Sequence, residues 1–283
     1  MQRTVQTIQA QKQRGERVTM LTCYDYSTAK LMDGILDMLL VGDSLGNVML
    51  GYDDTLSVTM DDMLRYTAAV SRGAKQSLVV ADMPFLSYQT SVRDAVYNAG
   101  RLLQEGRAQA VKLEGGKAMC DRVRAIVDAG IPVMGHLGMT PQSVNTLGGF
   151  KVQGKDLDAA KKLYADALAL QEAGVFAIVL ECVPGELATW MTERLDVPTI
   201  GIGAGAGCDG QVLVYQDMAG MFSDYCPKFV EKFGEIGKAL QDACTSYADA
   251  VHAGTFPGPK QTYTMDHAVI EALEQEEAKT CES

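Results

Sequence analysis

The chain has 283 residues, 47% hydrophobic and 22% charged, enough apolar side chain to build a core and too much for a disordered protein. Its 25 Lys and Arg against 36 Asp and Glu give a net charge of −11, the wrong sign for a general binder of nucleic acid or of an anionic membrane. Three His leave little room for a multi-His zinc site, and seven Cys without a Cys-x-x-Cys pair read as reduced thiols, mostly core filler.

Met1–Arg17 lacks the apolar region and cleavage site of a secretory signal and is expected to form a polar helix capping the fold. No apolar stretch reaches the ~18 residues of a membrane span. Eight short apolar runs then follow: Val18–Tyr24, Met38–Val41, Leu78–Ala81, Ala110–Leu113, Pro132–Met134, Ala177–Leu180, Pro198–Ile202 and Gln211–Tyr215. Most are continuous rather than alternating, the pattern of strands buried on both faces. Helical periods separate them. Met60–Gly73 places Met63, Leu64, Thr67 and Val70 on one face, and Ser91–Gly106 opens with Ser91 as N-cap and Asp94 three residues on. Cys120–Gly130 and Asp158–Gly174 each close on a Gly suited to a C-cap. Lys228–His252 reads as a closing helical region, and residues 260–283 as an acidic tail, loosely helical or disordered, outside a single domain spanning 1–259.

Eight such units in roughly 250 residues predict a (β/α)8 TIM barrel, with an open doubly wound sheet as the main alternative. Gly201-Ile202-Gly203-Ala204-Gly205 comes late and lacks a full dinucleotide fingerprint, so it is expected to be a tight turn after the seventh strand.

A barrel carries its chemistry where strands end. Five consecutive strands end in ionisable residues: Asp43 beside Ser44, then Asp82, then Lys112 with Glu114, then His136, then Glu181. Singly, each has a bland explanation as a helix cap, a solvated carboxylate or a buried histidine. Together on one rim they point to a site. Lys112 and Glu114, two apart on a strand, face the same way. Asp43, Asp82 and Glu114 would repel one another without a cation among them, and all-oxygen ligation favours Mg²⁺ over zinc. A 2-oxo acid would chelate such an ion through its carboxylate and keto oxygens, with Lys112 as a point charge for the carboxylate. Glu181, outside the metal set, is then the candidate general base that forms an enolate.

Met20–Tyr26, Val41–Gly46, Ala81–Phe85, Val111–Gly116, Gly135–Gln142, Leu180–Pro184, Gly201–Gly205 and Cys208–Gln211 closely resemble the ketopantoate hydroxymethyltransferase family, in order and at similar spacing over roughly residues 4–258. The Gly-His-Leu-Gly-Met-Thr-Pro-Gln run from Gly135 is the most specific of these. The resemblance implies a barrel of the phosphoenolpyruvate/pyruvate superfamily. It implies transfer of a hydroxymethyl group from 5,10-methylenetetrahydrofolate to 3-methyl-2-oxobutanoate, giving 2-dehydropantoate on the way to pantothenate and coenzyme A. Asp43 and Asp82 would be Mg²⁺ ligands and Glu114 a further carboxylate of the metal site. Ser44 and Lys112 would bind the oxo acid together with Asp43 and Asp82, His136 would line the pocket, and Glu181 would take the C3 proton. A bacterial cytoplasmic homo-oligomer, a homodecamer, is implied as well. The folate donor rests on the resemblance alone. Departures are confined to Lys30–Val41, which is short and contains Gly34, to Ser57 where the family often has Pro, and to the tail after Pro259.

A carbon–carbon lyase of the same superfamily, acting on a 2-methylisocitrate-like acid, is the competing enzyme reading. Its catalytic Cys loop has no counterpart after Lys112. A non-catalytic barrel is the third reading, and the complete set of site residues argues against it.

Overall fold

The apolar runs become eight parallel strands, β1 (Val18–Thr22), β2 (Met38–Val41), β3 (Leu78–Asp82), β4 (Ala110–Glu114), β5 (Val133–Gly138), β6 (Ala177–Glu181), β7 (Thr199–Ile202) and β8 (Gly210–Leu213). They pair in sequence order, and β8 closes on β1, so the open doubly wound alternative is excluded. The computed structural model describes residues 2–149, 151–221 and 227–281. By its contacts the chain divides into two compact units, residues 1–234 and 235–283.

The helices are α1 (Val5–Gln13), α2 (Tyr26–Met32), α3 (Leu45–Val48), α4 (Met60–Gly73), α5 (Val92–Gln104), α6 (Cys120–Asp128), α7 (Val144–Leu147), α8 (Leu157–Glu172), α9 (Gly185–Thr192) and α10 (Tyr215–Met218), with α11 (Ile236–His252) and α12 (His267–Cys281) in the second unit. Their starts follow the expected capping chemistry. Thr59 and Asp62 close a reciprocal capping box on α4, and the Ser91 hydroxyl accepts the Asp94 N–H at 3.0 Å on α5. Among the described residues no helix is long and apolar enough to cross a membrane.

Some boundaries move from their sequence-based positions. β1 stops at Thr22, whose hydroxyl accepts the N–H of Tyr215 at 3.0 Å, and Tyr215 opens α10 instead of ending β8. β5 runs on through His136 to Gly138, which places the histidine within a strand. α11 begins at Ile236 rather than at Lys228, because Gly234 and the non-helical Glu235 precede it. Six of the cysteines are free thiols, with Cys23, Cys120 and Cys208 buried; Cys226 lies outside the described residues.

Two apolar layers form the barrel unit. Val18, Met20, Met38, Leu40, Leu78, Val80, Ala110, Met134, Ala177, Val179, Ile200 and Val212 fill the barrel, and Ile8 of α1 joins them, fully buried. The alternate strand residues, such as Leu39, Val79, Val111 and Ile178, pack outward against the helices. Side chains alternate strictly along a strand. Continuing the inward phase upward from Val80, Ala110, Met134 and Val179 reaches Asp82, then Lys112 and Glu114, then His136, then Glu181. The register places Asp82 beside Lys112 and Glu114 beside His136. Gly138 lies beside Glu181 with φ +97°, and a Cβ there would collide with the Glu181 carbonyl oxygen, so the strand end that carries Glu181 needs glycine opposite it.

Candidate active site

All six ionisable residues expected from the sequence gather at the C-terminal mouth, with Ser44 beside Asp43. Asp43, Asp82, Lys112, Glu114 and His136 are buried, and the Glu181 side chain is more open at 16% exposure. Lys112 Nζ lies 2.8 Å from Asp82 Oδ1 and 3.4 Å from His136 Nδ1. Burial works against the ammonium, but Asp82, Glu114 and Asp43 outweigh it and hold Lys112 charged. His136 stands between two carboxylates: Nδ1 is 3.5 Å from Glu114 Oε1, and Nε2 is 3.2 Å from Glu181 Oε2. Burial and Lys112 push its pKa down, while Glu114 and Glu181 raise it further, to about 9.

Asp43 follows Gly42 at the end of β2, and its N–H donates to Asp82 Oδ2 at 3.0 Å. A side chain at Gly42 would meet Ser44 Oγ at 2.7 Å, so glycine is what lets this turn pass so near the carboxylates. Ser44 Oγ is 2.8 Å from the hydroxyl of the fully buried Tyr24.

Two further residues hold the cluster together without being ionised. Gln142 Nε2 donates to Asp43 Oδ2 at 2.8 Å and to the Met83 carbonyl at 2.9 Å, and its backbone N–H donates to Glu114 Oε2 at 3.0 Å. The Tyr88 hydroxyl donates to Gln142 Oε1 at 2.8 Å and accepts the Glu114 N–H at 3.1 Å. Strand-end reasoning passes over both. Tyr88 sits in the loop after β3, and Gln142 closes the Gly135–Gln142 run, whose specificity was its one available signal.

The charges do not balance. Four carboxylates, Asp43, Asp82, Glu114 and Glu181, face Lys112 and His136. Burial, then Asp82 and Glu114, push the Asp43 carboxyl well above its usual range. Asp82 Oδ1 is buried and, although close to Lys112, has no partner in hydrogen-bond geometry. A divalent cation would relieve both conditions. Among the described residues no three His, Cys, Asp or Glu side chains form a ready cage for a metal. Mg²⁺ does not need one, since it keeps water and substrate oxygens in its shell beside one or two carboxylates. The donor set therefore suits Mg²⁺ on Asp43 and Asp82, with Glu114, engaged by Gln142 and His136, one step behind.

The sequence profile of ketopantoate hydroxymethyltransferase matches residues 2–259. The chain belongs to the ketopantoate hydroxymethyltransferase family. It is 60% identical to the 3-methyl-2-oxobutanoate hydroxymethyltransferase of Clostridium novyi, over 96% of this chain and 100% of that one. It is 59% identical to the enzyme of that name from Enterococcus faecalis, with the same coverage. As a ketopantoate hydroxymethyltransferase family member the protein is a transferase that moves a hydroxymethyl group to 3-methyl-2-oxobutanoate. Solved barrels resemble it in fold at low identity. A phosphoenolpyruvate phosphomutase from Streptomyces platensis subsp. rosaceus matches with TM-score 0.60 and 12% identity, over 99% of this chain and 98% of that one. A 2,3-dimethylmalate lyase of the PEP mutase/isocitrate lyase superfamily matches with TM-score 0.58 and 15% identity, over 100% and 99%. These likenesses are of fold alone.

Proposed function

We propose that the transfer proceeds through removal of the C3 proton of 3-methyl-2-oxobutanoate by Glu181, with 5,10-methylenetetrahydrofolate as the one-carbon donor and Mg²⁺ held by Asp43 and Asp82. The observation that carries this reading is the convergence, in one inward phase, of a buried cation–carboxylate pair at Lys112 and Asp82 and a more open carboxylate at Glu181 backed by His136. Lys112 and the Ser44 hydroxyl, the latter fixed by Tyr24, are the donors for the substrate carboxylate. When bound, Mg²⁺ supplies positive charge that stabilises the keto oxygen as negative charge builds on it. A phosphonopyruvate hydrolase of like fold forms a complex with oxalate and Mg²⁺, a hard cation together with a two-oxygen chelator, which supports the same pairing here.

Glu181 is the most open carboxylate of the set, its side chain 16% exposed where Asp43, Asp82 and Glu114 are buried. His136 Nε2, 3.2 Å from Glu181 Oε2, limits its swing. The proton taken from C3 stays on Glu181 while C3 attacks the one-carbon unit; water supplies the hydroxyl oxygen, both C–N bonds of the methylene break, and tetrahydrofolate leaves. The family resemblance supports the folate donor, a homodecameric assembly and a cytoplasmic setting. Assembly draws further support from α11, where Ile236, Leu240, Tyr247 and Val251, spaced for one helix face, are 43–61% exposed.

The test follows the C3 proton of 3-methyl-2-oxobutanoate by NMR in D₂O with Mg²⁺, before and after the folate is added. The intact protein is expected to exchange C3–H without folate and to form the hydroxymethyl product with it. Glu181→Gln is expected to lose exchange and turnover together, by about 10²–10⁴-fold. Exchange at the original rate in that variant removes Glu181 as the base.

A further inference from the structure

We propose that Gln142 is a positioning residue that sets the orientation of the Asp43 carboxylate for a divalent cation, with Tyr88 setting Gln142 in turn. The inference rests on the metal reading above and deepens it.

The amide has one possible orientation. Its Nε2 faces two acceptors, Asp43 Oδ2 and the Met83 carbonyl, while its Oε1 faces two donors, the Tyr88 hydroxyl at 2.8 Å and Gln89 Nε2 at 3.1 Å. Turning the amide over would set oxygen against two oxygens and NH₂ against two donors. The Tyr88 hydroxyl accepts the Glu114 N–H and can donate to Gln142 Oε1 at 2.8 Å or to the Glu114 carbonyl at 3.2 Å, so it is the two acceptors at Nε2, Asp43 Oδ2 and the Met83 carbonyl, that fix the amide. Tyr88 is 1% exposed, Asp43 4%, Glu114 5% and Gln142 7%, all buried, and Gln89 at the edge is half-buried. Unmet polar groups there would be costly, so the network holds a single arrangement.

The consequence falls on Asp43. Pinning Oδ2 fixes the carboxylate rotamer, and with it the direction in which the other oxygen is presented. A neutral amide is the suitable group for that task. A carboxylate at 142 would add a further negative charge to an uncompensated cluster, and a lysine would neutralise the charge that attracts the cation. Gln142 also spans the site: its side chain reaches the ends of β2 and β3, and its backbone N–H holds Glu114 on β4. One residue of a short turn after β5 thus ties together two carboxylates, Asp43 and Glu114, and the backbone at the end of β3, in the way that outer-shell partners orient metal ligands.

The test uses Mn²⁺ alone, with the electron paramagnetic resonance signal of the free ion as the readout. Four proteins are compared: the unaltered chain, Asp82→Ala, Gln142→Met and Tyr88→Phe. Gln142→Met keeps the side-chain volume and the backbone bond to Glu114 and removes only the amide. It is expected to bind Mn²⁺ about 10–100-fold more weakly, with the metal-free protein still folding cooperatively and its melting temperature lowered by a few degrees for the partners left unmet. In turnover the loss is expected in the metal concentration needed for half-maximal rate, with kcat recovering at saturating metal. Tyr88→Phe is expected to give a smaller weakening, and it carries the test if Gln142→Met fails to fold. Full Mn²⁺ affinity in Gln142→Met or, should that variant not fold, in Tyr88→Phe, alongside lost binding in Asp82→Ala, overturns the positioning role and leaves the metal reading standing. Absence of Mn²⁺ binding by the unaltered chain overturns both.

Discussion

Lys112 is the buried cation on which the site's charge depends. Its ammonium faces Asp82 and His136 and, through both, the whole set of carboxylates. Lys112→Met keeps the stem and removes the charge. The expected result is a rise of about 10–100-fold in KM for the oxo acid, the value of one charge-assisted hydrogen bond of ~1.5–3 kcal/mol, read by steady-state kinetics at saturating Mg²⁺. Lys112→Arg is not expected to rescue it, because a planar fork does not fit where a point charge sits between two side chains. At this scale much of the candidate site was legible in the sequence. Asp43, Asp82, Lys112, Glu114, His136 and Glu181 are ionisable residues at the ends of apolar strands, and a barrel brings such ends to one rim. Tyr24, Tyr88 and Gln142 were not assigned roles, since an uncharged donor gives no signal until its partner is known.

The elements show where local rules hold and where packing overrides them. α1 is polar along most of its length, as its composition suggests, yet Ile8 is fully buried among Val18, Met20 and Met38. It plugs the end of the barrel opposite the site. Ile8→Ala is expected to cost about 2–5 kcal/mol by leaving a cavity there, measured by denaturant unfolding with turnover at low temperature preserved. At the far end of α5, Gly106 must pass close to α4, where a Cβ would meet Thr67 Cγ2 at 2.9 Å. Glycine is used for that approach, so the exposed Arg107 is left to take the left-handed turn at φ +60°. Arg107→Gly is expected to stabilise the fold by up to about 1 kcal/mol, seen as a higher unfolding midpoint with unchanged slope. The strands were legible as apolar runs, and their ends were misplaced where a tertiary bond intervened, as at Thr22 with Tyr215.

For the whole molecule, closure of the barrel was readable from the count of strand–helix units, whereas assembly was not, because a single chain's pattern does not say what covers an outward face. The stripe on α11 gives that question a handle. Leu240 is 57% exposed in the middle of it. If ten chains associate through this helix, Leu240→Glu is expected to shift the particle to a smaller species, read by light scattering. An unchanged particle places the contact elsewhere.

The inward phase of the strands has a bearing on how such a protein can vary. Asp82, Lys112, Glu114, His136 and Glu181 face the mouth because each lies an even number of steps above a core residue of its own strand. Substitutions change one of these letters at a time, but loss or gain of a single residue inside a strand changes their parity. Such a deletion in β4 would turn Lys112 and Glu114 toward the helices and bring Leu113 into the mouth, destroying core and chemistry in one event. The same deletion in a turn at the plugged end, such as that around Gly130, shifts no parity above it. Length variation in descendants of this sequence is therefore confined to the turns, and the strands are free to drift only in spelling.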